Sequence, residues 1–179
     1  MRAWLAAEIG GFDYAKVRNP GYVPARRLTR EEYNRTIRDL VGLDLRPADE
    51  FPMDFSGTSG FSNSANTLFL QTAHLDRYFT SAEGVIDEVR ADEKAWEKLL
   101  GSSRDAATAI TEMMRRAYRR PPTHTETKEI IGRYEAELEK KKSQDEALAN
   151  AFKAILVSPN FLLRVENSVA TAKDQEVSD

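Results

Sequence analysis

The stretch AATAITEMMRRAYRRPPTHTETKEIIGRYEAELEKKKSQDEALANAFKAILVSPNFLLRVE, residues 106–166, decides the fold class. Its apolar residues recur every three or four positions, the period of helices buried along one side. Ala106, Ala109, Ile110, Met113 and Ala117 form a first stripe. Ile130, Ile131, Tyr134 and Leu138 form a second, and Ala147, Leu148, Ala151, Phe152, Ile155 and Leu156 a third. The breaks between the stripes are chemically marked. Pro121-Pro122 stops the first helix, whose interior neither residue can continue. Thr123 with Glu126, and Ser143 with Glu146, have capping-box spacing, in which each side chain satisfies a backbone donor of the other. Ser158 followed by Pro159 is an N-cap with proline at the first helical position. The reading predicts helices from about Asp105 to Arg119, Thr123 to Lys141, Ser143 to Val157 and Pro159 to Glu166.

Working outward, Thr29 and Glu32 repeat the capping-box spacing, and Tyr33, Ile37, Leu40 and Val41 fall on one helical face. Gly42 supplies the left-handed stop. From about Gln71 to Val89 the period returns through Leu75, Tyr78, Phe79, Ala82, Ile86 and Val89, and Trp96, Leu99 and Leu100 anchor the charged stretch that follows. Between these helices, residues 43–66 have no helical period. They are expected to form a long ordered loop whose Phe51, Phe55 and Phe61 pin it to the helices. Residues 10–66 hold six of the nine glycines, so the front is loop-rich and the back helical. No segment alternates long enough to predict a full strand. The fold class expected is all-α, with about six or seven helices and one long loop. Residues 1–25 are expected to be a short helix and linker, 26–100 and 101–170 two helical subdomains meeting near Gly101-Ser102-Ser103, and 171–179 a frayed tail.

Composition excludes several chemistries. The 179 residues include no cysteine, which removes disulfides, zinc-thiolate and iron–sulfur sites, a cysteine nucleophile and covalent c-type haem attachment. Two histidines, His74 and His124, are too few for a histidine-rich metal centre. A net charge of −3 argues against nucleic acid as a partner. No apolar run approaches the roughly 20 residues of a membrane span. The opening MRAWLAAEIGGFD places Glu8 inside its short apolar run, so no signal peptide is expected there.

No catalytic, cofactor-binding or metal-binding motif is legible. The loop from Asp54 to Asn66 is rich in side-chain oxygens, but Asp54 is its one carboxylate, whereas calcium wants six to eight oxygens. His74 is expected to be a surface or capping histidine. The conspicuous feature is two arginine clusters. One contains Arg26, Arg27, Arg30, Arg35 and Arg38; the other contains Arg115, Arg116, Arg119 and Arg120. Interleaved carboxylates, and a place in the last turns of a helix, favour structural pairing, with an anionic ligand as the alternative. A structural network is expected of Arg26, Arg27, Arg30, Arg116, Arg119 and Arg120, with carboxylates such as Asp39, Asp49 or Glu166, or helix-end carbonyls, as acceptors. Loss of Arg27 or Arg119 is then expected to cost about 1–3 kcal/mol.

Residues 26–83 contain Arg-Arg-Leu-Thr-Arg-Glu-Glu-Tyr from Arg26, Phe-Pro-Met-Asp from Phe51, and Gly-Phe-Ser-Asn from Gly60. They resemble a planctomycete domain of unknown function, the third of the PSD set. Residues 106–166 carry Arg-Ala-Tyr-Arg-Arg-Pro from Arg116 and Ser-Pro-Asn-Phe-Leu-Leu-Arg from Ser158. They are similar to the fifth PSD domain. Together the two stretches cover about two thirds of the chain. Family members often have Asp where Ser62 stands, which weakens a cation site in that loop.

The resemblance implies large exported proteins, in the periplasm or cell envelope, in which such domains follow a cytochrome c-like module. MRAWLAAEI resembles the last helix of such a module, and any haem would belong to that neighbouring domain. The chain is expected to be a compact fragment or minimal version of that architecture. Its expected role is a non-enzymatic scaffold or interaction module, with other domains of the parent protein or an envelope component as partners. The alternative is a substrate-shaping part of a haem-linked oxidoreductase acting on polysaccharide.

Overall fold

The computed structural model describes residues 25–54, 68, 72–101 and 105–164. Helix accounts for 74% of the described residues, in seven α-helices with a minor two-stranded pairing, so the chain is all-α. In chain order the elements are β1 (Arg26–Arg27), α1 (Arg30–Val41), a 3-10 turn (Pro47–Glu50), α2 (Thr72–Ala91), α3 (Glu93–Leu100), α4 (Ala106–Tyr118), α5 (His124–Glu139), α6 (Gln144–Leu156), α7 (Pro159–Leu162) and β2 (Leu163–Arg164). The expected helix at Arg2–Ile9, most of the loop beyond Asp54 and the tail from Thr171 lie outside the described residues.

Six of the seven described helices begin at a side chain that accepts from an orphan amide. All three capping boxes form, at Thr29–Glu32, Thr123–Glu126 and Ser143–Glu146. Asp92 and Asp105 cap α3 and α4 through their carboxylates. Gly42 ends α1 at φ 82, a left-handed conformation that glycine adopts without a Cβ penalty. Helix α4 ends without glycine: Arg119 occupies the left-handed position at φ 59.

The short helix after Pro159 stops at Leu162, earlier than its sequence period predicts. The chain there turns extended, and Leu163–Arg164 pairs antiparallel with Arg26–Arg27, with Arg26 opposite Arg164 and Arg27 opposite Leu163. Tertiary pairing thus wins over the local helical pattern.

The core is one continuous cluster drawn from both halves of the chain. Tyr33, Ile37 and Val41 of α1, Tyr78, Val85, Ile86 and Val89 of α2, Ile110, Met113 and Met114 of α4, Phe152, Ile155 and Leu156 of α6, and Phe161 of α7 all belong to it. Helix α6 is central, packing against α2, α4 and α5. Trp96 of α3 stands edge-on to Phe152 of α6, with ring centroids 5.7 Å apart.

Candidate functional site

The Arg-Arg pair at β1 is the natural starting point, because its two side chains point to different partners. Alternation along a strand sends successive residues to opposite faces. Arg26 forks onto Glu32, Nη1 to Oε2 at 2.7 Å and Nη2 to Oε1 at 2.8 Å. The same Oε2 accepts the Thr29 amide at 2.8 Å, so one carboxylate closes the α1 capping box and holds β1. Arg120 repeats the device, forking onto Glu126 with Nη1–Oε2 2.9 Å and Nη2–Oε1 2.6 Å, while Glu126 Oε2 accepts the Thr123 amide. In both cases the arginine stands three residues before the capping threonine. The bidentate arginine holds the Glu32 carboxyl and the Glu126 carboxyl down at about 2.

Arg27 points inward and is 4% exposed. Its Nη1 lies 2.6 Å from Asp54 Oδ1 and donates to the Leu28 carbonyl at 3.1 Å. The Asp54 contact lies off the N–H axis, so Oδ1 receives no aligned hydrogen bond, and Arg27 Nε has no acceptor. Asp54 Oδ2 accepts the Arg30 amide at 2.7 Å, which places a carboxylate at the N-terminus of α1. Arg30 in turn donates from Nε to the Ala48 carbonyl at 2.8 Å and from Nη2 to the Asp49 carbonyl, fastening the 3-10 turn.

The second arginine cluster closes on the same region. Arg119 Nη2 donates to the Phe161 carbonyl at 3.1 Å and, at 3.4 Å, to that of Leu163. Arg120 Nη2 also donates to Asn160 Oδ1 at 3.1 Å. Across the joint, the Leu28 amide donates to the Leu162 carbonyl at 3.1 Å, and the Tyr33 and Phe161 rings meet edge-on at 5.8 Å. Arg116 stands apart and donates to the Leu99 carbonyl at 2.7 Å, at the C-terminus of α3. Burial and the neighbouring Arg164 push the Arg119 guanidinium downward, Glu32 opposing; burial alone leads for Arg116.

The carboxylates named from the sequence are not the ones that these arginines use. Asp39 pairs with Arg38, and the Asp49 side chain takes Arg46 and Asn34, while Glu166 lies outside the described residues. Main-chain carbonyls near element ends, the other expected class, do much of the accepting, and no sequence spacing marks which ones.

His74 corrects its surface reading. It is 3% exposed, packs face-on to Tyr78 with centroids 6.4 Å apart, and neither ring nitrogen has a partner among the described residues. Burial, then Arg27, pushes its pKa down, with Asp54 opposing. Its register with Tyr78, Ser81 and Val85 at i+4, i+7 and i+11 is the signal that places it on the core face. Asn34 also escapes the sequence reading. It shares a stripe with Ile37 and Val41, donates to Asp49 Oδ1 and accepts the Ala48 amide, both at 2.8 Å.

On the outer side of α2, against the 3-10 turn, lies a groove of about 310 Å³. Leu45, Phe51, Gly84 and Val85 make its apolar lining, with Arg46 and Arg77 at its rim. Phe51, which lines the groove, packs with Tyr33 and Tyr78 at mutual ring distances of 5.0–5.5 Å. Among the described residues, no group of three or more potential metal-ligating side chains converges. No described helix is long and apolar enough to cross a membrane.

The residues of this joint coincide with two family matches. Residues 26–91 match PSD3, a family of proteins of unknown function (DUF1587), and residues 105–166 match PSD5, likewise of unknown function (DUF1595). The chain carries a PSD3 domain and a PSD5 domain. No curated protein and no solved structure gives a significant match. The β1–β2 pairing therefore joins the first residues of the PSD3 segment to the end of the PSD5 segment. Asp54 and Arg119 reach that joint from within each domain.

Proposed function

We propose that the chain is a non-catalytic helical scaffold that holds its PSD3 and PSD5 domains in one fixed arrangement, within an exported, cytochrome-associated multidomain protein. The observation that supports the scaffold is the fate of the arginines. Arg26, Arg27, Arg30, Arg116, Arg119 and Arg120 all spend donors on carboxylates or main-chain carbonyls of this chain. An anion-binding surface would present guanidinium groups to solvent with their forks open. The association with a cytochrome, and with other domains or an envelope component, is supported by the planctomycete-type motifs and by the likeness of MRAWLAAEI to the end of a cytochrome c module.

The test is a calorimetric titration of the full chain with heparin and with polygalacturonate at physiological salt. The scaffold reading predicts no saturable binding. Saturable binding that Arg26→Ala and Arg120→Ala abolish without lowering the melting temperature would overturn it.

The groove beside α2 favours a second reading, in which the module forms one wall of a substrate site completed by a haem domain. Its volume falls at the lower end of small-molecule pockets, and its lining is apolar with a charged rim. Gly84 leaves its floor open, with nothing within 4 Å of the position a Cβ would take. If this reading holds, Gly84→Leu in the parent protein abolishes substrate turnover while leaving the fold intact.

A further inference from the structure

The buried cluster under the joint holds an ion pair and a histidine that share no hydrogen bond. Arg27 and Asp54 are in contact at 2.6 Å, yet Asp54 Oδ1 keeps free lone pairs and Arg27 Nε keeps a free donor. His74 lies in their field with both nitrogens unpartnered. Among the described residues, Arg27 on β1 and Asp54 after the 3-10 turn act on it electrostatically, and Tyr78 on its own helix stacks against it. A neutral imidazole is compatible with this balance of one cation and one anion. An imidazolium would set two cations against one carboxylate in a space shielded from solvent, which is costly.

We propose that His74 is an acid-sensitive latch, whose protonation draws Asp54 away from Arg27 and loosens the β1–β2 joint between the PSD3 and PSD5 domains. The route is short. Among the described residues, Asp54 is an anion that acts on His74, and protonation gives the ring a positive charge and turns its one acceptor nitrogen into a second donor. Arg27 stands on β1, and its amide donates to the Leu68 carbonyl at 3.0 Å while the next amide, of Leu28, crosses to Leu162. Displacing the Arg27 side chain therefore acts directly on the main-chain bonds of the joint. The latch goes beyond the scaffold reading and stands equally if the module lines a substrate site.

Two histidines make the test clean, because the resonances need only be told apart and His124, which is exposed, serves as the control position. Proton NMR of the full chain from about pH 8 to pH 5 follows both imidazoles, and hydrogen exchange follows the Arg27 and Leu28 amides. The latch predicts that His74 titrates below an ordinary imidazole, and that amide protection falls by up to about tenfold per pH unit once His74 takes its proton. In His74→Gln, and separately in His74→Phe, that loss of protection disappears, whereas His124→Gln retains it. Titration of His74 as an ordinary imidazole, or protection at the joint that follows pH identically in the parent and His74→Gln, would overturn the proposal.

Discussion

Arg27 and Asp54 form a nearly dry ion pair, Nη1 to Oδ1 2.6 Å, with side chains 5% and 10% exposed. Such a pair contributes little when both members are present, because desolvation offsets the attraction, but removing one member strands the other. Arg27→Ala is therefore expected to destabilise the chain by about 3–5 kcal/mol, above the range expected from sequence alone. Urea unfolding measures it. Asp54→Leu added to Arg27→Met should recover part of that loss; the bond from the Arg30 amide to Asp54 is not restored.

Arg119 makes a different prediction, because it combines bonds with an unfavourable backbone. Its Nη2 bonds to Phe161 and Leu163 belong to the side chain, whereas its φ of 59 penalises any residue with a Cβ. Arg119→Ala loses the bonds and keeps the penalty, so it should cost about 1–3 kcal/mol. Arg119→Gly loses the same bonds but removes the penalty, and should be milder by about 1 kcal/mol. Equal melting temperatures for the two would show that the left-handed cap carries no strain.

Much of the helical frame is legible in the sequence because capping chemistry is local. Thr29–Glu32, Thr123–Glu126 and Ser143–Glu146 announce their helices within four residues. The joint is not legible, because its bonds run between residues remote in sequence and often to carbonyls that every residue has. Arg119 to Phe161 and Leu28 to Leu162 have no side-chain signature on the accepting side. Leu163–Arg164 reads as helix for the same reason, since its extended form depends on β1. His74 and Asn34 are readable in principle from their register with the apolar stripe, which a polar residue type obscures.

The capping glutamates give an acid limb. Glu32 and Glu126 titrate at about 2 in the fold against an ordinary 4.5, so they bind protons more readily when unfolded. Their contribution is complete above pH 4.5 and is lost as pH falls toward 2. Arg26→Ala and Arg120→Ala should each flatten the melting-temperature profile between pH 4.5 and 2. A profile in these variants as steep as the parent's would contradict the bidentate assignment.

Two helical glycines offer stabilising changes. Gly84 in α2 and Gly132 in α5 have nothing within 4 Å of the place a Cβ would take and no positive φ. Gly84→Ala and Gly132→Ala should each raise stability by roughly 0.5–1 kcal/mol, the helix-propensity difference. Calorimetric melts check both. Gly42→Ala should do the opposite, since Gly42 sits at φ 82.

The central claim is that the motif arginines bind the PSD3 and PSD5 domains into one cooperative body. Native-state hydrogen exchange on Arg27→Ala tests it most directly, because the substitution lies in the PSD3 domain and the readout extends to core amides of α6 in the PSD5 domain. The account predicts that protection of Phe152 and Ile155 falls by the same free energy as that of Ile37 in α1. Loss confined to α1, with the α6 amides as protected as in the parent, would contradict it.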